Sequence, residues 1–206
     1  MQVLFYETAS GRSPIEDFLS ECSLEVRKDF FDAVGLLEQG KTIPMPLNRP
    51  LANIRLGLSE LRLKDRYGQY RFLYYIKKGE AIYMPHAFKK KTEELPKKEE
   101  NVVLKRLKRY EMPFKEVNLK NIAKDMGVSF EDLQEKQRLI DKIKHLRLKQ
   151  GLSQAELAGH IGVSQSRIAQ IEAGVGTRKI TFDVLFHILN VLGYGIEVRL
   201  KKCANA

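Results

Sequence analysis

Arg62, Lys64 and Arg71 are the residues of this sequence whose types and spacing are best suited to chemistry on a phosphate group. They lie in the stretch SELRLKDRYGQYRFLYY, residues 59–75, in which apolar and polar side chains alternate. Alternation places the basic side chains on one face of a strand pair, where like charges that face each other repel. A bound phosphate would relieve this repulsion, so the pattern favours an anion-binding face.

Two strands around a Gly turn must position these residues. If Tyr67 and Gly68 form the two-residue loop, Lys64 lies directly opposite Arg71. Asp65 is the only acidic residue between Lys64 and Arg71, so we expect the face to have few counterions of its own.

A third strand would extend the same face. The alternation predicts it from Ala81 to Phe88, after a turn at Lys78-Gly79, and places His86 opposite Arg71. Pro85 would disturb this register if it forces a bulge. A lone His in a strand is more often structural than catalytic, and both roles stay open for His86.

Two interpretations of the basic face remain. Scattered basic residues usually form a solvated surface, but this set has few counterions and would hold an RNA backbone or another polyanion. Tyr67 and Tyr75 would stack on bases. The basic residues in question are Arg62, Lys64, Arg66, Arg71, Lys89, Lys90 and Lys91.

Composition favours two globular domains with two anionic partners. The chain has 206 residues, is 43% hydrophobic and carries a net charge of +10. Residues 1–60 hold six basic and nine acidic residues, residues 61–91 nine and two, and residues 113–206 fifteen and ten. The positive charge therefore lies in two separate regions, which suggests two activities.

The sequence start and the two cysteines narrow the class further. Neither a signal peptide nor a membrane span is visible, so we expect a cytoplasmic protein with no membrane partner. Cys22 and Cys203 are too far apart in sequence for a disulfide framework or a metal-ligand motif. We expect neither a metal nor a cofactor.

The remaining signals of the first half predict an α+β fold. A short strand lies around Val3 and Phe5, and a capping box at Ser13–Glu16 begins a helix. Further helices are predicted from Ser23 to Glu38 and from Lys97 to Tyr110. We expect an antiparallel sheet with helices on one side.

The first half resembles the RelE/ParE toxin superfamily, specifically its phage-derived HigB-like branch. The segments that carry the resemblance are Glu60–Lys64, Tyr70–Tyr74, His86–Lys91 and Leu95-Pro96 before a closing helix. It covers about residues 1–111. It implies a RelE-like fold and a ribosome-dependent endoribonuclease that cuts mRNA, in which the 2′-hydroxyl attacks the adjacent phosphate.

The resemblance also implies residue roles. Arg62, Lys64 and Arg71 fall where RelE-type enzymes keep their working basic residues, and Lys90 is our candidate for the basic residue after the last long strand. The attraction of fixed cations for the phosphate grows as negative charge builds on the phosphorane. A lysine crowded by arginines has a lowered pKa and can act as the base, and His86 would donate or accept a proton. RelE has a stacking aromatic residue near its C-terminus, where this chain has Pro96, and Tyr110 would replace it only if its helix places it there.

The second half holds a different motif. SQAELAGHIGVSQSRIAQIEAG, residues 153–174, predicts two capped helices joined at Gly162, with Ala158 allowing close approach and with Ile168 and Ile171 in the core. A basic amphipathic helix from Leu139 to Gly151 precedes the motif, and a helix from Phe182 to Leu192 follows it. The stretch resembles the Cro/C1-type (XRE) DNA-binding domain, and a plain helical pair is the alternative.

The XRE resemblance implies an operator-binding surface and a dimer. The second motif helix enters the major groove, and the start of the first helix contacts a phosphate. Tyr194–Leu200 alternates as a short strand without a partner in its own half, so pairing with a second copy would give a homodimer. The implied DNA contacts are Gln154, Ser164, Gln165, Ser166, Arg167 and Gln170.

Together the halves have the order of a HigB toxin followed by a HigA antitoxin. We assign residues 1–111 to the toxin domain, 112–138 to a helical connector or antitoxin N-terminal segment, and 139–206 to the DNA-binding antitoxin domain. Residues 121–129 echo residues 156–164, as a decayed second motif or, as we favour, a generic helix pair. Met112-Pro113 resembles a former start, which fits a natural fusion or a laboratory linkage.

The leading hypothesis is a fused type II toxin–antitoxin protein. Its mRNA interferase domain is neutralised by an intramolecular contact with the antitoxin half, which represses its own promoter. The alternative is a transcriptional regulator whose inactive toxin-like domain serves as an interaction module. Gyrase poisoning, as in ParE relatives, is disfavoured because they lack the basic set formed by Arg62, Lys64 and Arg71.

Overall fold

The computed structural model describes residues 1–77, 81–90, 95–108, 114–174 and 180–197. The first part of the chain forms β1 (Gln2–Tyr6), α1 (Pro14–Glu21), α2 (Leu24–Glu38), β2 (Asn48–Pro50), β3 (Leu58–Asp65), β4 (Gly68–Lys77), β5 (Ala81–Lys90) and α3 (Lys97–Leu107). The second part forms β6 (Phe114–Glu116), α4 (Leu119–Asp125), α5 (Phe130–Lys149), α6 (Gln154–Ile161), α7 (Gln165–Ala173) and α8 (Phe182–Val191). No helix within these ranges has the length and apolar character needed to cross a membrane.

The α+β class is confirmed. The strands form one sheet in the order β2-β3-β4-β5-β1-β6. Neighbours from β2 to β5 are antiparallel as expected, whereas β1 runs parallel to β5 and makes the sheet mixed. The long connection through α1 and α2 permits this, because parallel neighbours need a crossover that a hairpin cannot supply.

Helices cover both faces of the sheet, where helices on one side were expected. Alternate residues of β3 and β4, such as Leu61 and Phe72, pack with α1 and α2 in the main core. The intervening positions, such as Leu58 and Leu73, form a smaller core with Val103 of α3. The predicted start of α1 is confirmed, since the Ser13 side chain accepts a hydrogen bond from the Glu16 backbone N–H.

The turn between β3 and β4 consists of Arg66 and Tyr67, so the predicted loop at Tyr67-Gly68 is wrong. Asp65 sets the turn, because its carboxylate accepts hydrogen bonds from the backbone N–H groups of Tyr67 (2.8 Å) and Gly68 (3.0 Å). Arg62 rather than Lys64 is therefore the direct partner of Arg71. The shift is two residues, so every side chain keeps its predicted face.

A bulge lies between β4 and β5, as the proline suggested. Tyr75 pairs with Tyr83, but Leu73 pairs with His86, so β5 carries one extra residue beside Pro85. His86 consequently lies opposite Leu73, and the expectation that it faces Arg71 is wrong. It remains on the same face as Arg71, because the register differs from the predicted one by two residues, one from the bulge and one from the pairing of Lys77 with Ala81 next to the predicted turn.

The segment after residue 113 is built into the fold of the first half. β6 pairs with β1, and the main core includes Leu119, Ala123, Val128 and Phe130. The Phe130 ring packs over Gly35 of α2, where an added Cβ would lie 3.4 Å from it. Arg27 of α2 donates a hydrogen bond to the Met126 carbonyl at the end of α4 (3.0 Å). The main core thus depends on residues beyond 111.

Helix α5 joins the two halves without a break. It was expected to begin at Leu139, but it begins at Phe130 with a Ser129 cap and runs through to Lys149. Its first turn belongs to the main core, and Ile140 and Ile143 belong to a second core with α6, α7 and α8. The Lys41 Nζ atom lies 2.6 Å from the Asp141 carboxylate, which adds an ion pair between α5 and the segment that follows α2.

The second core contains the predicted motif. Ala158, Ile168 and Ile171 are buried, and Gly162 has a φ of 76°, in the left-handed region. Residues 194–197 form no strand; a strand needs a partner, and none lies beside them among the described residues. Residues 198–200 of the expected strand lie outside the described residues.

Candidate nucleic-acid interface

Three cross-strand rows on the α3 side of the sheet make up the candidate site. The first row contains Arg49, Glu60, Leu73 and His86, the second Arg62, Arg71 and Phe88, and the third Lys64, Gln69 and Lys90. Four of the predicted catalytic residues, Arg62, Lys64, Arg71 and Lys90, therefore share two neighbouring rows. The hairpin registers described above bring them together.

A buried carboxylate lies between the two arginines. Glu60 is only 1% exposed, and its Oε2 atom accepts a hydrogen bond of 2.9 Å from Arg62 Nε. Its Oε1 atom lies 2.9 Å from Arg71 Nε, an ionic contact whose angle does not make a hydrogen bond. The counterion of the face is thus Glu60. Asp65 points the other way, toward Ser23 and Tyr70.

Arg71 is the internal member of the arginine pair. Its side chain is 7% exposed, and it donates hydrogen bonds to the Tyr70 carbonyl (3.1 Å) and to Gln69 Oε1 (2.7 Å). Burial lowers the pKa of the Arg71 guanidinium, the charge of Glu60 raises it, and the charge of Arg62 lowers it again. The buried Arg71 side chain therefore lies out of direct reach of a ligand on the surface of the sheet.

Arg62 and its surface neighbours are the groups that an anion can reach. The Arg62 side chain is 24% exposed, and its hydrogen bond to Glu60 is donated by Nε, so this bond does not use the two Nη groups of the fork. Lys64 and Arg49 are exposed, and Arg49 lies directly opposite Glu60 on the edge strand β2. Arg49 was not predicted as a site residue, because the prolines around it argue against regular structure. Since proline is tolerated in edge strands, the same prolines could have indicated an edge strand at this position.

Lys90 is the member of the lysine run that joins the site. It lies opposite Gln69 in the third row. Burial lowers the pKa of the Lys90 ammonium, the charge of Glu60 raises it, and Arg71, Arg62 and Arg49 lower it further. Lys89 points to the other face, where its Nζ atom lies 5.6 Å from the centre of the Tyr70 ring. Lys91 lies outside the described residues, as does Tyr110.

The turn at the end of the hairpin carries the predicted stacking residue. Tyr67 is 59% exposed, and the Arg66 guanidinium lies over its ring at 4.6 Å and donates to its hydroxyl. Both side chains remain candidates for RNA contact at the end where the third row lies. Tyr75 is farther along β4, half-buried beneath Arg55 at 4.7 Å.

His86 connects β5 to α3. Its Nε2 atom lies 2.6 Å from Glu99 Oε2, and its Nδ1 atom lies 3.2 Å from Arg106 Nη1, which also donates to the Pro85 carbonyl. The neutral ring with a proton on Nε2 satisfies both contacts. Burial lowers the pKa of His86, although the Glu99 hydrogen bond opposes the shift. This geometry favours the structural role, and a catalytic role stays a prediction.

The second candidate surface is the start of α7. Ser164 caps the helix by accepting from the Arg167 backbone N–H at 3.3 Å. Gln165, Ser166 and Gln170 are exposed, and Arg167 is half-buried. The structure thus presents the predicted base-reading residues along the start of one short helix.

Comparison with known families gives one match in each half of the chain. Residues 17–108 match the family described as phage-derived protein Gp49-like, and residues 143–198 match the helix-turn-helix family. The two matches support a Gp49-like toxin domain, of the RelE/HigB-like kind, joined to a helix-turn-helix domain. A comparison with curated proteins gave no match.

The two matches leave the middle of the chain unassigned. The Gp49-like match spans β3, β4 and β5 and stops before β6, whereas the helix-turn-helix match starts inside α5. The segment from Phe114 to Lys142 therefore belongs to neither family, although it completes the core of the Gp49-like domain. The chain is a toxin–antitoxin-like, DNA-binding protein with an added element between its halves.

A buried ion pair joins α5 to α7, the second motif helix of the helix-turn-helix domain. Arg147 of α5 donates two hydrogen bonds to Glu172 of α7, from Nε at 2.6 Å and from Nη2 at 2.9 Å. The Gln154 amide also donates to Glu172, at 2.9 Å. Gln154 is half-buried here, so a phosphate contact through its amide, which stays a prediction, would require it to leave Glu172.

Proposed function

We propose that this protein is a fused type II toxin–antitoxin protein. The Gp49-like domain is a ribosome-dependent mRNA endoribonuclease, and the helix-turn-helix domain binds the operator of its own promoter. The observation that carries the proposal is the Glu60-bridged arginine pair with Lys90 beside it. This cluster provides a basic face on β3, β4 and β5, the strands that lie within the Gp49-like match.

The chemistry follows from the positions of the groups. Arg62 binds the scissile phosphate through its Nη atoms, and the charge of buried Arg71 adds to the stabilisation of the phosphorane. Lys90 takes the proton of the attacking 2′-hydroxyl, because its lowered pKa leaves a larger share of the amine unprotonated. As the 2′-oxygen bonds to phosphorus, the bond from phosphorus to the 5′-oxygen breaks, and the leaving 5′-oxygen takes a proton from the Lys90 ammonium or from water, which leaves a cyclic phosphate and a 5′-hydroxyl. Lys64 and Arg49 hold the flanking phosphates, and Tyr67 stacks on a base.

The helix-turn-helix domain represses transcription as a homodimer in this proposal. Gln165 and Gln170 read base edges in the major groove, with Arg167 and Ser166 beside them. Two domains related by a two-fold axis match a palindromic operator. Both activities place the protein in the cytoplasm.

In this proposal the second half neutralises the toxin domain through its size and not by covering Arg62. Helices α4 and α5 pack on α2, which lies on the sheet face opposite Glu60, Arg62 and Arg71. The described part of the second half therefore leaves the basic face open. A helix-turn-helix domain held rigidly behind the sheet by α5 keeps the toxin domain out of the narrow decoding site of the ribosome.

The alternative is a transcriptional regulator whose Gp49-like domain is inactive. One observation favours it: the Arg71 guanidinium is buried and engaged internally by Glu60, Tyr70 and Gln69. In that case the basic face binds a nucleic acid or a partner without cutting it.

Growth arrest by a shortened chain tests the proposal. Residues 1–138 are the appropriate fragment, because residues 1–111 would lose β6, α4 and Phe130 and so expose the main core. We expect induction of the 1–138 fragment to arrest growth, and the same fragment with Arg62→Ala and Lys90→Ala to be tolerated. A well-folded 1–138 fragment without effect on growth or mRNA would support the inactive regulator.

A further inference from the structure

A buried acid in a phosphate-binding face needs an explanation. Glu60 is among the most buried charged residues of the described chain, at 1% exposed, and it lies among Arg49, Arg62 and Arg71. A carboxylate repels phosphate, so on charge alone its presence weakens the binding of RNA. Its contacts suggest what it contributes in return.

We propose that Glu60 is a positioning residue that aims the Arg62 guanidinium at the RNA phosphate, an inference that rests on the proposed function. Glu60 holds the partly exposed Arg62 side chain through Nε, a contact that leaves both Nη groups of the fork for a phosphate. A phosphate bound there makes a bidentate contact with a guanidinium whose orientation is already set.

The cross-strand register explains why a bridging acid is needed. Arg62 and Arg71 are direct partners, and residues so paired have Cβ atoms only about 5 Å apart. Without a shared counterion, two guanidinium groups at this spacing repel, and the surface member turns away because the buried one is held by Tyr70 and Gln69. Glu60 keeps Arg62 beside Arg71 and concentrates their charge at one point.

Two explanations of Glu60 predict opposite signs for the same substitution. If the carboxylate acts only through its charge, Glu60→Gln removes a repulsion and tightens RNA binding. If it positions Arg62, Glu60→Gln weakens RNA binding although the protein becomes more positive. Glu116→Gln removes the same charge from an exposed site on β6 at the far edge of the sheet and is the matched control.

The test is a double-mutant cycle on the full chain. The affinity for a fluorescent single-stranded RNA is measured at two salt concentrations for wild type, Glu60→Gln, Arg62→Ala, the double variant and Glu116→Gln. We expect Arg62→Ala to weaken binding about 10-fold in the wild-type background and less than about 2-fold in the Glu60→Gln background. Glu60→Gln alone should approach the affinity of Arg62→Ala, and Glu116→Gln should bind as wild type does or slightly more tightly.

The outcomes separate this inference from the proposed function. If Arg62→Ala leaves RNA affinity unchanged, the basic face does not bind RNA and the proposed function is wrong. If Arg62→Ala weakens binding but Glu60→Gln tightens it, the face binds RNA and the positioning role is overturned.

A merely structural role is tested with a charge-balanced variant. Glu60→Gln leaves Arg71 buried without its counterion, so the midpoint of thermal unfolding should fall. The double variant Glu60→Gln with Arg71→Gln removes both charges and should regain much of this stability. The positioning role predicts that this double variant binds RNA more weakly than Arg71→Gln alone, in which Glu60 still holds Arg62. Equal RNA affinity of the double variant and Arg71→Gln would show that Glu60 serves only the fold.

Discussion

Arg62 on β3 lies directly opposite Arg71 on β4, and one buried carboxylate contacts both guanidinium groups. The two arginines have different surroundings, since the Arg62 side chain is 24% exposed and the Arg71 side chain 7%. The pair therefore divides into a surface group for binding and an internal group for support. This division leads to the first prediction.

Arg71→Gln should destabilise the protein far more than Arg62→Gln. Removing Arg71 leaves Glu60 partly uncompensated in the interior, and breaking a buried pair costs about 3–5 kcal/mol. Removing Arg62 takes away a partly exposed partner and should cost roughly 1 kcal/mol. Urea unfolding measures both. Equal losses would contradict the division between an internal and a surface arginine.

The sequence predicted the face correctly and the pairing incorrectly. Alternation alone assigns Arg62, Lys64 and Arg71 to one face, because the side-chain period of a strand is two. The register depends on which residues form the turn, and the Asp65 carboxylate decides this through two backbone N–H groups. An Asp that opens a turn is a readable signal, although it competes with the equally plausible Tyr67-Gly68 loop.

Other features depend on contacts between distant parts of the chain. The parallel pairing of β1 with β5 leaves no local pattern, and neither does the place of Arg49 opposite Glu60. The motif of the second half was predictable in detail, because its caps, its left-handed Gly162 and buried Ile168 are all local or periodic. The unbroken helix α5 was not, since polar residues separate its two apolar ends.

Asp65→Ala should lower stability and abolish part of its acid dependence. Burial opposes ionisation of Asp65, but hydrogen bonds from Ser23, Tyr67, Tyr70 and Gly68 together hold its pKa below the ordinary value. A lowered pKa means that the stabilisation is present above pH ~4 and is lost as the pH falls through the folded value. Urea midpoints from pH 7 to pH 2 should therefore fall less steeply for the variant. Parallel curves would contradict this role of Asp65.

Asp29→Asn should stabilise the protein at alkaline pH. Burial, with a smaller effect from Asp32, raises the pKa of Asp29 to about 7, and Lys136 of α5 opposes the shift. For a raised carboxyl pKa, the contribution to stability is present below pH ~4 and is lost as the pH rises through 7. The urea midpoint of Asp29→Asn should exceed that of wild type at pH 8, and the difference should vanish near pH 4.

The matched control for Asp29 is Asp17→Asn, an exposed carboxylate paired with Arg12 on the surface. Its effect should be within about 0.5 kcal/mol at either pH. If Asp29→Asn is less stable than wild type at pH 8, then the Asp29–Lys136 interaction across α2 and α5 outweighs the cost of burial.

Gln165→Ala and Gln170→Ala should each weaken operator binding without loss of fold. Both side chains are exposed on α7, and a bidentate base contact is worth about 1–3 kcal/mol. Band shifts with DNA from the protein's own promoter measure the loss, and unrelated DNA should be bound equally by wild type and variants. Exposed Gln134 on α5, outside the motif, gives the control variant Gln134→Ala.

Cleavage of ribosome-bound mRNA tests the central claim most directly. The fragment of residues 1–138 is added to a purified translation system, and the 5′ ends of the mRNA are mapped by primer extension. The same fragment is tested with Arg62→Ala and, as a control, with Lys105→Ala, which changes an exposed lysine of α3. We predict new ends within the translated message for the fragment and for Lys105→Ala, and none for Arg62→Ala or without ribosomes. Intact mRNA with the folded fragment, or equal cleavage by Arg62→Ala, would contradict the assignment of the Glu60, Arg62 and Arg71 face as the active site.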